Sequence, residues 1–527
     1  MNEPVAGKFL LEILTRGMYS NPMHIYREYI QNASDSIDKA IEKGIIAYSE
    51  AEIHITISSK ERRIIIRDNG TGIPCNSAQN TLLNVGASEK DGVNERGFRG
   101  IGRLGGLAYA NQVQFITSAQ GDNTKTVMTC DCVRMQQLLQ KSNHETNDIM
   151  ETFKAISTFD EEPEELNDHY FEVRLIGVSI ESGLLDEDDA VRYLAETGPI
   201  DFDSQQFVQA RKIRNYFNEK GFPITCYKIL RGVRRKPIYK LYSRSMSTGK
   251  QGRTRVNDYV RDIEFIYQEA SDGKPLYIGW LAITDFSGII SDESVQGNRF
   301  RKGNILIGNG TTFAKFFPSE GHNANRMFAG EIHILHDELI PNSQRDDFEP
   351  GQFYNEMKQK LGEWAGQINK KYRRGTSEAT SALRNLKKLN SEQKELEEKI
   401  DSGAISSDEK REQIAERLEK IERQRKTEEK KVRKALERGT FDDERKEAVE
   451  RTLSQTESAT KKVTAINKKI VNAGYATKND LPSSYSRAER KLYQRVISVI
   501  DTYFTDNPKI AEELRERIKM ELSVKKK

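Results

Sequence analysis

Several features are scarce in this sequence, and each scarcity excludes a class of protein. The 527 residues include only four cysteines, too few for a disulfide framework. Cys130 and Cys132 stand one residue apart, which is not the CxxC spacing of zinc or redox motifs. No apolar run approaches the roughly 20 residues that span a bilayer, and the N-terminus shows no signal-peptide pattern. We therefore expect a reduced, cytoplasmic protein without membrane contact.

An excess of one charge is also lacking. The net charge is +3 although 31% of the residues are charged. No global imbalance therefore predicts a nucleic-acid or membrane partner, and any such partner must be sought in local patches.

The chain is too long for one hydrophobic core, and its patterns predict an α+β protein of four parts. Residues 1–185 mix helical and strand periods, and the acidic stretch TFDEEPEELNDHY interrupts them before the strand-like YFEVRLIGVSI. Residues 195–370 form a second mixed α/β domain with strand-like PLYIGWLAI, GNILIGNG and GEIHILH. Residues 376–473 are rich in charge and predict a coiled coil, and 480–527 a small helical segment.

The coiled-coil prediction depends on apolar residues at a and d spacing. The turn-like DSGAISSD and RGTFDDE break the pattern into three helices. Gln393, Arg425 and Glu428 are poor seam residues, so a single solvated charged helix is the alternative. The apolar positions are Leu386, Leu389, Leu396, Ile400, Ile414, Leu418, Ile421, Val432 and Ala435.

A helix near the N-terminus, REYIQNASDSIDKA, aligns Glu28, Asn32 and Asp35 on one face because they stand at i, i+4 and i+7. Apolar side chains such as Tyr26 and Ile30 occupy the opposite side. On these residues alone, a core helix with a solvated polar face is the favoured interpretation.

Two glycine-rich stretches follow. RIIIRDNGTGIP predicts a buried strand ending at Asp68, with Gly70 and Gly72 in a turn where backbone can approach a ligand. A carboxylate there suits the amino group of a planar base, although a plain turn is the simpler alternative. In ERGFRGIGRLGG, backbone N–H groups before a helix can bind phosphate, but the glycine order is not the dinucleotide fingerprint.

The order ExxxNxxD, DNGTG and GxxGxG between Glu28 and Gly102 resembles the GHKL, or Bergerat-fold, ATPases. This family includes gyrase, MutL, MORC proteins, sensor histidine kinases and heat-shock protein 90. The stretch MYSNPMHIYREYIQNASDSIDKA is most similar to heat-shock protein 90. The resemblance covers residues 7–185 and implies a Bergerat-fold domain that binds ATP and Mg²⁺.

The resemblance also implies roles for individual residues. Glu28 matches the general base that activates water, Asn32 the Mg²⁺ ligand, and Asp35 a supporting residue. Asp68 matches the adenine-binding carboxylate beside Gly70 and Gly72. The phosphate lid and phosphate-binding turn correspond to Ser88, Lys90, Gly97, Arg99, Gly100 and Gly102.

One family feature is missing, and another lies in the second domain. The family has a Gly-Thr pair before a late strand, where this chain has His169, Tyr170 and Phe171. IPNSQRDDFE resembles the segment of heat-shock protein 90 whose arginine reaches the γ-phosphate, which implies this role for Arg345. Lys302 is the alternative, as in gyrase-like and MutL-like relatives.

The segment 231–255 contains nine Lys or Arg and no acid, so it is a candidate contact for DNA or RNA, or a loop near an acidic partner. The favoured function is a Mg²⁺-dependent ATPase that opens and closes a homodimeric clamp on a protein client or a nucleic acid. A nucleotide-gated scaffold or a conflict-system component with little turnover is the alternative. A histidine kinase is disfavoured because the ATP domain comes first.

Overall fold

A computed structural model describes most of the chain. The residues it describes are 6–17, 21–85, 102–140, 145–248, 256–284, 286, 288–318, 324–373, 378–401, 408–437, 443–471, 492–493, 495–497, 499–500, 504 and 508–524. The chain forms two compact units. The first contains residues 1–249 and 257–373, and the second contains 250–256 and 374–527.

The first unit begins with a mixed sheet and its helices. The strands are β1 (Glu52–Ser58), β2 (Arg63–Asp68), β3 (Gln112–Ser118), β4 (Thr124–Asp131), β5 (Ser157–Pro163), β6 (Tyr170–Ile176), β7 (Lys228–Arg231) and β8 (Lys236–Pro237). The helices are α1 (Phe9–Glu12), α2 (His24–Glu42), α3 (Cys75–Leu83), α4 (Cys132–Leu138), α5 (Ile149–Ala155) and α6 (Glu187–Thr197). The strand order is β5-β4-β3-β6-β2-β1-β7-β8.

The apolar patterns account for the core of this sheet. Ile53 and Ile55 of β1 and Ile64 and Ile66 of β2 are buried on one face, because alternate residues of a strand point the same way. They pack against the apolar side of α2 in one hydrophobic cluster. The predicted helix and both predicted strands are confirmed.

The acidic stretch after residue 157 differs from the expectation. Its first half is the edge strand β5, paired antiparallel with β4, rather than an interruption of the domain. Most of its side chains are exposed, so the strand lacks the apolar alternation that would have revealed it.

The first sheet extends beyond residue 185. β7 runs parallel to β1, with Ile53 opposite Ile229, and β8 pairs with β7. Both strands lie within residues 195–370, which the sequence predicts to be the second domain. Short strands that complete a distant sheet have too few residues to show a period.

The second sheet lies between two helices. Its strands are β11 (Asp262–Glu269), β12 (Pro275–Ile283), β13 (Gly297–Lys302), β14 (Ile305–Ile307) and β15 (Ala329–Ile334), and the order is β11-β12-β15-β13-β14. The helices are α7 (Ala210–Glu219) and α8 (Gln352–Arg373), and β9 (Ser245–Thr248) and β10 (Val256–Tyr259) form a separate ribbon. Ile278 and Trp280 belong to the core with α7, and Tyr277 and Leu281 to the core with α8.

A buried ionic cluster joins this sheet to the end of α6. Glu331 on β15 is fully buried, and it pairs with Lys240 at 2.7 Å and with Arg301. Burial alone would raise the pKa of Glu331, but Arg301 and Lys240 beside it hold the pKa well below its usual range. Arg301 also donates to the carbonyls of Glu196 and Gly198. The arginine therefore satisfies orphan carbonyls at the C-terminus of α6.

The second unit is helical. Its helices are α9 (Glu378–Asp401), α10 (Asp408–Glu437), α11 (Asp443–Val471) and α12 (Pro508–Val524). The three-helix division of 376–473 is thus present, and Leu386 of α9, Val432 of α10 and Val449 of α11 share one apolar cluster. The coiled-coil geometry stays a prediction. Most residues of the turn-like stretches DSGAISSD and RGTFDDE lie outside the described residues.

Two of the three poor seam residues are buried, and Glu428 is half-buried. Arg425 and Gln393 are each 1% exposed and hydrogen-bond to each other. Gln393 also donates to the carbonyl of Ala459 at 2.9 Å, and Arg425 to Thr460. A polar layer therefore crosses the interior of α9, α10 and α11.

No helix in the described part of the chain is both long enough and apolar enough to cross a membrane. All four cysteines are free thiols.

Candidate functional site

The polar face of α2 is buried. Glu28 is 7% exposed and Asp35 is 3% exposed, and Asn32 is half-buried. The opposite side of the helix is buried as well. Because buried carboxylates need partners, the interpretation of α2 as a helix with a solvated face does not hold.

Glu28 faces backbone on one side and cations on the other. A Cβ added to Gly102 would stand 2.3 Å from Glu28 Oε2, so only glycine permits this approach. Arg27 Nη2 lies 3.5 Å from Glu28 Oε1, and Arg345 Nε lies 3.8 Å from the same oxygen. Glu28 Oε1 has no hydrogen-bond partner among the described residues.

Arg345 reaches Glu28 from the loop after β15. Its φ is +57°, and its carbonyl accepts from Gly308 N at 2.8 Å, while its N–H donates to Asn342. These bonds fix a backbone conformation that an arginine rarely adopts. The same loop contacts α2 a second time, because Arg27 donates to the Gln344 carbonyl at 3.4 Å.

Lys302, the alternative to Arg345, is engaged elsewhere. Its ammonium donates to the His336 carbonyl at 2.7 Å, and burial lowers its pKa to about 8. Of the two candidates, Arg345 is the one that contacts Glu28.

Asp68 ends β2 with a buried carboxyl. Gly70 N donates to its Oδ1 at 2.8 Å, and the hydroxyl of Ser36 and the N–H of Phe171 donate to the same carboxylate. Burial nevertheless raises the pKa of Asp68 to about 7, against the lowering effect of these donors. A carboxylate so placed can accept a further hydrogen bond from a ligand.

The turn after Asp68 leaves no room for a side chain at Gly70 or at Gly72. Gly72 has φ +60°, and a Cβ there would stand 1.8 Å from the Ser118 carbonyl oxygen. The turn is held by Thr117, whose hydroxyl accepts from Ile73 N at 2.7 Å, and by His169, whose Nδ1 donates to the Gly70 carbonyl at 2.8 Å. His169 is one of the three residues that stand where the resemblance expected a Gly-Thr pair, and it supports the turn.

Five predicted phosphate-site residues lie outside the described part of the chain: Ser88, Lys90, Gly97, Arg99 and Gly100. The described part resumes at Gly102, where a 3-10 helix begins. Arg103 then donates to the carbonyls of Leu82 and Asn84. It therefore ties the end of the glycine-rich stretch to the end of α3.

The side chains of α2 are compatible with a Mg²⁺ ion that is bound together with a nucleotide. Among the described residues no group of three or more His, Cys, Asp or Glu side chains could hold a metal by itself. Asn32 lies one turn beyond Glu28 and offers one neutral oxygen. Mg²⁺ bound to a nucleotide takes its other ligands from phosphates and water, so one protein ligand is enough.

Sequence reasoning missed three residues of this site: Arg27, Ser36 and Arg103. Ser36 had a signal, because it stands at i+4 from Asn32 and therefore on the same helix face. Arg27 and Arg103 had none, because the backbone carbonyls to which they donate lie far from them in sequence.

The basic segment is less free than its sequence implied. Lys240 is buried with Glu331, Arg231 pairs with Glu187 at 3.2 Å, and Arg235 pairs with Glu52. Lys250, Arg253 and Arg255 lie outside the described residues. Because Lys240 is buried in the ion pair with Glu331, it is not a contact for a nucleic acid.

The site thus contains two buried acidic side chains, Glu28 on α2 and Asp68 at the end of β2. Residues 21–162 match the family described as histidine kinase-, DNA gyrase B-, and HSP90-like ATPase. The chain thus contains a domain of this family, as the motifs predicted.

Curated proteins that are similar to this chain agree with the family match. The chain is 35% identical over 91 residues to the chaperone protein HtpG of Buchnera aphidicola, covering 16% of this chain and 14% of that protein. It is 26% identical over 136 residues to HtpG of Treponema pallidum, covering 22% and 21%. The matches span about a fifth or less of the length of these relatives.

Proposed function

We propose that the protein is a Mg²⁺-dependent ATPase that uses hydrolysis to open and close a homodimeric clamp around a macromolecule. The observation that carries this proposal is the buried Glu28 carboxylate. It faces Gly102 on one side and Arg345 on the other.

Each residue has a part in the proposed reaction. Asp68 accepts a hydrogen bond from the adenine amino group, and Gly70 and Gly72 leave room for the base. Asn32 coordinates Mg²⁺, and the residues from Ser88 to Gly102 bind phosphates. Glu28 orients and deprotonates the attacking water, and Asp35 supports it from the next turn.

Arg345 supplies positive charge toward the transferring phosphoryl group. Because it comes from the loop after β15 and not from the first sheet, its position links the chemistry to the second domain. Lys302 would act in its place only after leaving the His336 carbonyl.

The client is proposed as a protein or a nucleic acid. Similarity to chaperone relatives favours a protein. Arg234, Lys236 and Arg244 remain candidate contacts for DNA or RNA, with the cations that lie outside the described residues.

The test is steady-state ATP hydrolysis by the wild type and by Glu28→Ala at several protein concentrations, with and without Mg²⁺. We expect turnover that requires Mg²⁺, rises with protein concentration because two copies must associate, and vanishes in the variant. ATP binding without turnover in the wild type would refute the ATPase.

A second candidate is a nucleotide-gated scaffold. Two guanidinium groups near Glu28 Oε1 compete with water for the carboxylate, which favours a resting state without turnover. Binding of ATP with no hydrolysis at any protein concentration would select this candidate.

A further inference from the structure

Three donors from three different elements converge on the Asp68 carboxylate. Two are backbone N–H groups, of Gly70 in the turn after β2 and of Phe171 on β6. The third is the hydroxyl of Ser36 on α2. Backbone donors are supplied by any sequence that adopts this fold, whereas the third donor depends on the identity of one side chain.

Ser36 is held tightly against the turn. A Cβ on Gly70 would stand 2.1 Å from Ser36 Oγ and 2.7 Å from Asp68 Oδ1, so both oxygens converge on the space that Gly70 leaves open. The carbonyl of Ser36 also accepts from Thr71 N at 3.3 Å. Helix and turn are therefore connected through both the main chain and the side chain of this residue.

The nearby hydroxyl of Thr117 makes its hydrogen bonds to backbone groups and not to Asp68. Thr117 is fully buried, accepts from Ile73 N and donates to the Tyr170 carbonyl at 3.2 Å. Phe171, which pairs directly with Asp68 across β2 and β6, has no side-chain hydroxyl. The side-chain donor to Asp68 thus comes from α2.

Occupied acceptor positions determine what else the carboxylate can bind. An ionised carboxylate has about four lone-pair positions, and the N–H of Gly70 and the neighbouring hydroxyl of Ser36 restrict which of them stay open. An open position can only accept a hydrogen bond. A base amino group satisfies it, whereas a base carbonyl oxygen would repel it.

We propose that Ser36 is a specificity-determining positioning residue, whose hydroxyl orients the Asp68 carboxylate to select a 6-amino purine over a 6-oxo purine. This inference rests on the proposed function of Asp68 in binding the base of ATP. Ser36 acts through Asp68 and does not itself contact the nucleotide.

The test compares ATP with inosine triphosphate, which has an oxygen in place of the amino group. Dissociation constants for both are measured by calorimetry on the full chain with Mg²⁺, for the wild type and Ser36→Ala. Loss of one charge-assisted hydrogen bond corresponds to about a tenfold change. We therefore expect the preference for ATP over inosine triphosphate to fall by about tenfold.

The pH profile gives a second readout. Removing the hydroxyl favours the protonated carboxyl, so the decline of ATP affinity toward low pH should begin at a higher pH in Ser36→Ala, measured between about pH 6 and about pH 9. Inosine triphosphate should show no such decline. A merely structural role would weaken both nucleotides equally and leave the profile in place.

Ser34→Ala is the matched control. Ser34 lies on the same helix, is fully buried, and donates to the Ile30 carbonyl at 2.8 Å, away from Asp68. It should keep the wild-type preference. Ser36→Cys, which fills the space with a weak donor, repeats the test if the alanine variant does not fold.

The outcomes distinguish a failure of the proposed function from a failure of the role proposed for Ser36. A wild type that binds neither nucleotide refutes the proposed function. A wild type that prefers ATP, with Ser36 variants of unchanged preference and pH profile, refutes this inference alone.

Discussion

Arg345 Nε and Glu28 Oε1 lie 3.8 Å apart, although 317 residues separate them in sequence and one belongs to a loop and the other to a helix. Both side chains are about one-tenth exposed. The ion pair therefore brings a cation from the loop after β15 to the carboxylate that we propose as the general base.

Arg345→Ala should lower the rate of ATP hydrolysis by at least about tenfold with little effect on ATP binding, because charge is lost where the transition state needs it. Arg345→Gly removes the same guanidinium but suits the positive φ, so equal losses in both variants would assign the effect to the side chain. Measured turnover and dissociation constants decide the matter. Lys302→Ala is the comparison, and a collapse of turnover there with normal turnover in Arg345→Ala would reverse the assignment.

The pKa of Asp68, raised to about 7, makes folding pH-dependent. Between about pH 4 and about pH 7 the native carboxyl holds a proton that the unfolded chain has released, so stability should fall by about 1.4 kcal/mol for each pH unit as pH rises. Above pH 7 this contribution levels off. Asp68→Asn removes it, so its free energy of unfolding relative to wild type should increase across that window in urea titrations. A pH-independent difference between the two proteins would contradict the raised pKa.

Gly72→Ala should destabilise the protein by more than about 3 kcal/mol and abolish ATP binding, because the new Cβ would meet the Ser118 carbonyl. Gly44→Ala is a matched control with a similar φ of +69° and nothing within 4 Å of the added Cβ. Its cost should be only the backbone term of about 1–2 kcal/mol. Denaturant titrations of both variants give the comparison, and equal losses would mean that the contact at Ser118 has no effect.

Glu331→Gln should lower the free energy of unfolding by about 3–5 kcal/mol, because Lys240 and Arg301 would then be buried without a counter-charge. Lys212→Ala, which breaks the exposed pair with Asp262, should cost no more than about 1 kcal/mol. Similar small losses in both would show that the buried cluster is accessible to water.

Arg425→Leu in the helical unit should cost about 1–3 kcal/mol, since Gln393 loses its buried partner. The double variant with Gln393→Leu should recover most of that loss, because an apolar pair replaces a polar one. Thermal unfolding of the four proteins of this cycle tests the coupling, and additive losses would argue against it.

The parts of the fold that the sequence revealed are those with a local signal. The period of α2 and the isoleucines of β1 and β2 placed a helix and two strands correctly, and the glycines after Asp68 indicated the turn. β5 escaped because its residues are acidic and exposed, and β7 because a four-residue strand is identified by its partner rather than by itself.

The candidate site shows the same division. Glu28, Asn32 and Asp68 were predicted through spacing and resemblance, and the structure shows that Glu28 and Asp68 are buried. The partners of Ser36 and Lys240 could not be predicted from the sequence. A hydroxyl and an ammonium have many possible partners, and the fold determines which of them lie within reach. Burial turned Lys240 from a presumed surface cation into part of an ionic cluster.

The acidic edge strand β5 has one further consequence. Unpaired strand edges invite pairing with other chains and lead to aggregation. β5 carries Asp160, Glu161 and Glu162 and ends at Pro163, so an incoming strand meets like-charged neighbours and a residue without an N–H to offer. The acidity that hid this strand in the sequence thus makes the sheet end here rather than continue from one molecule into the next.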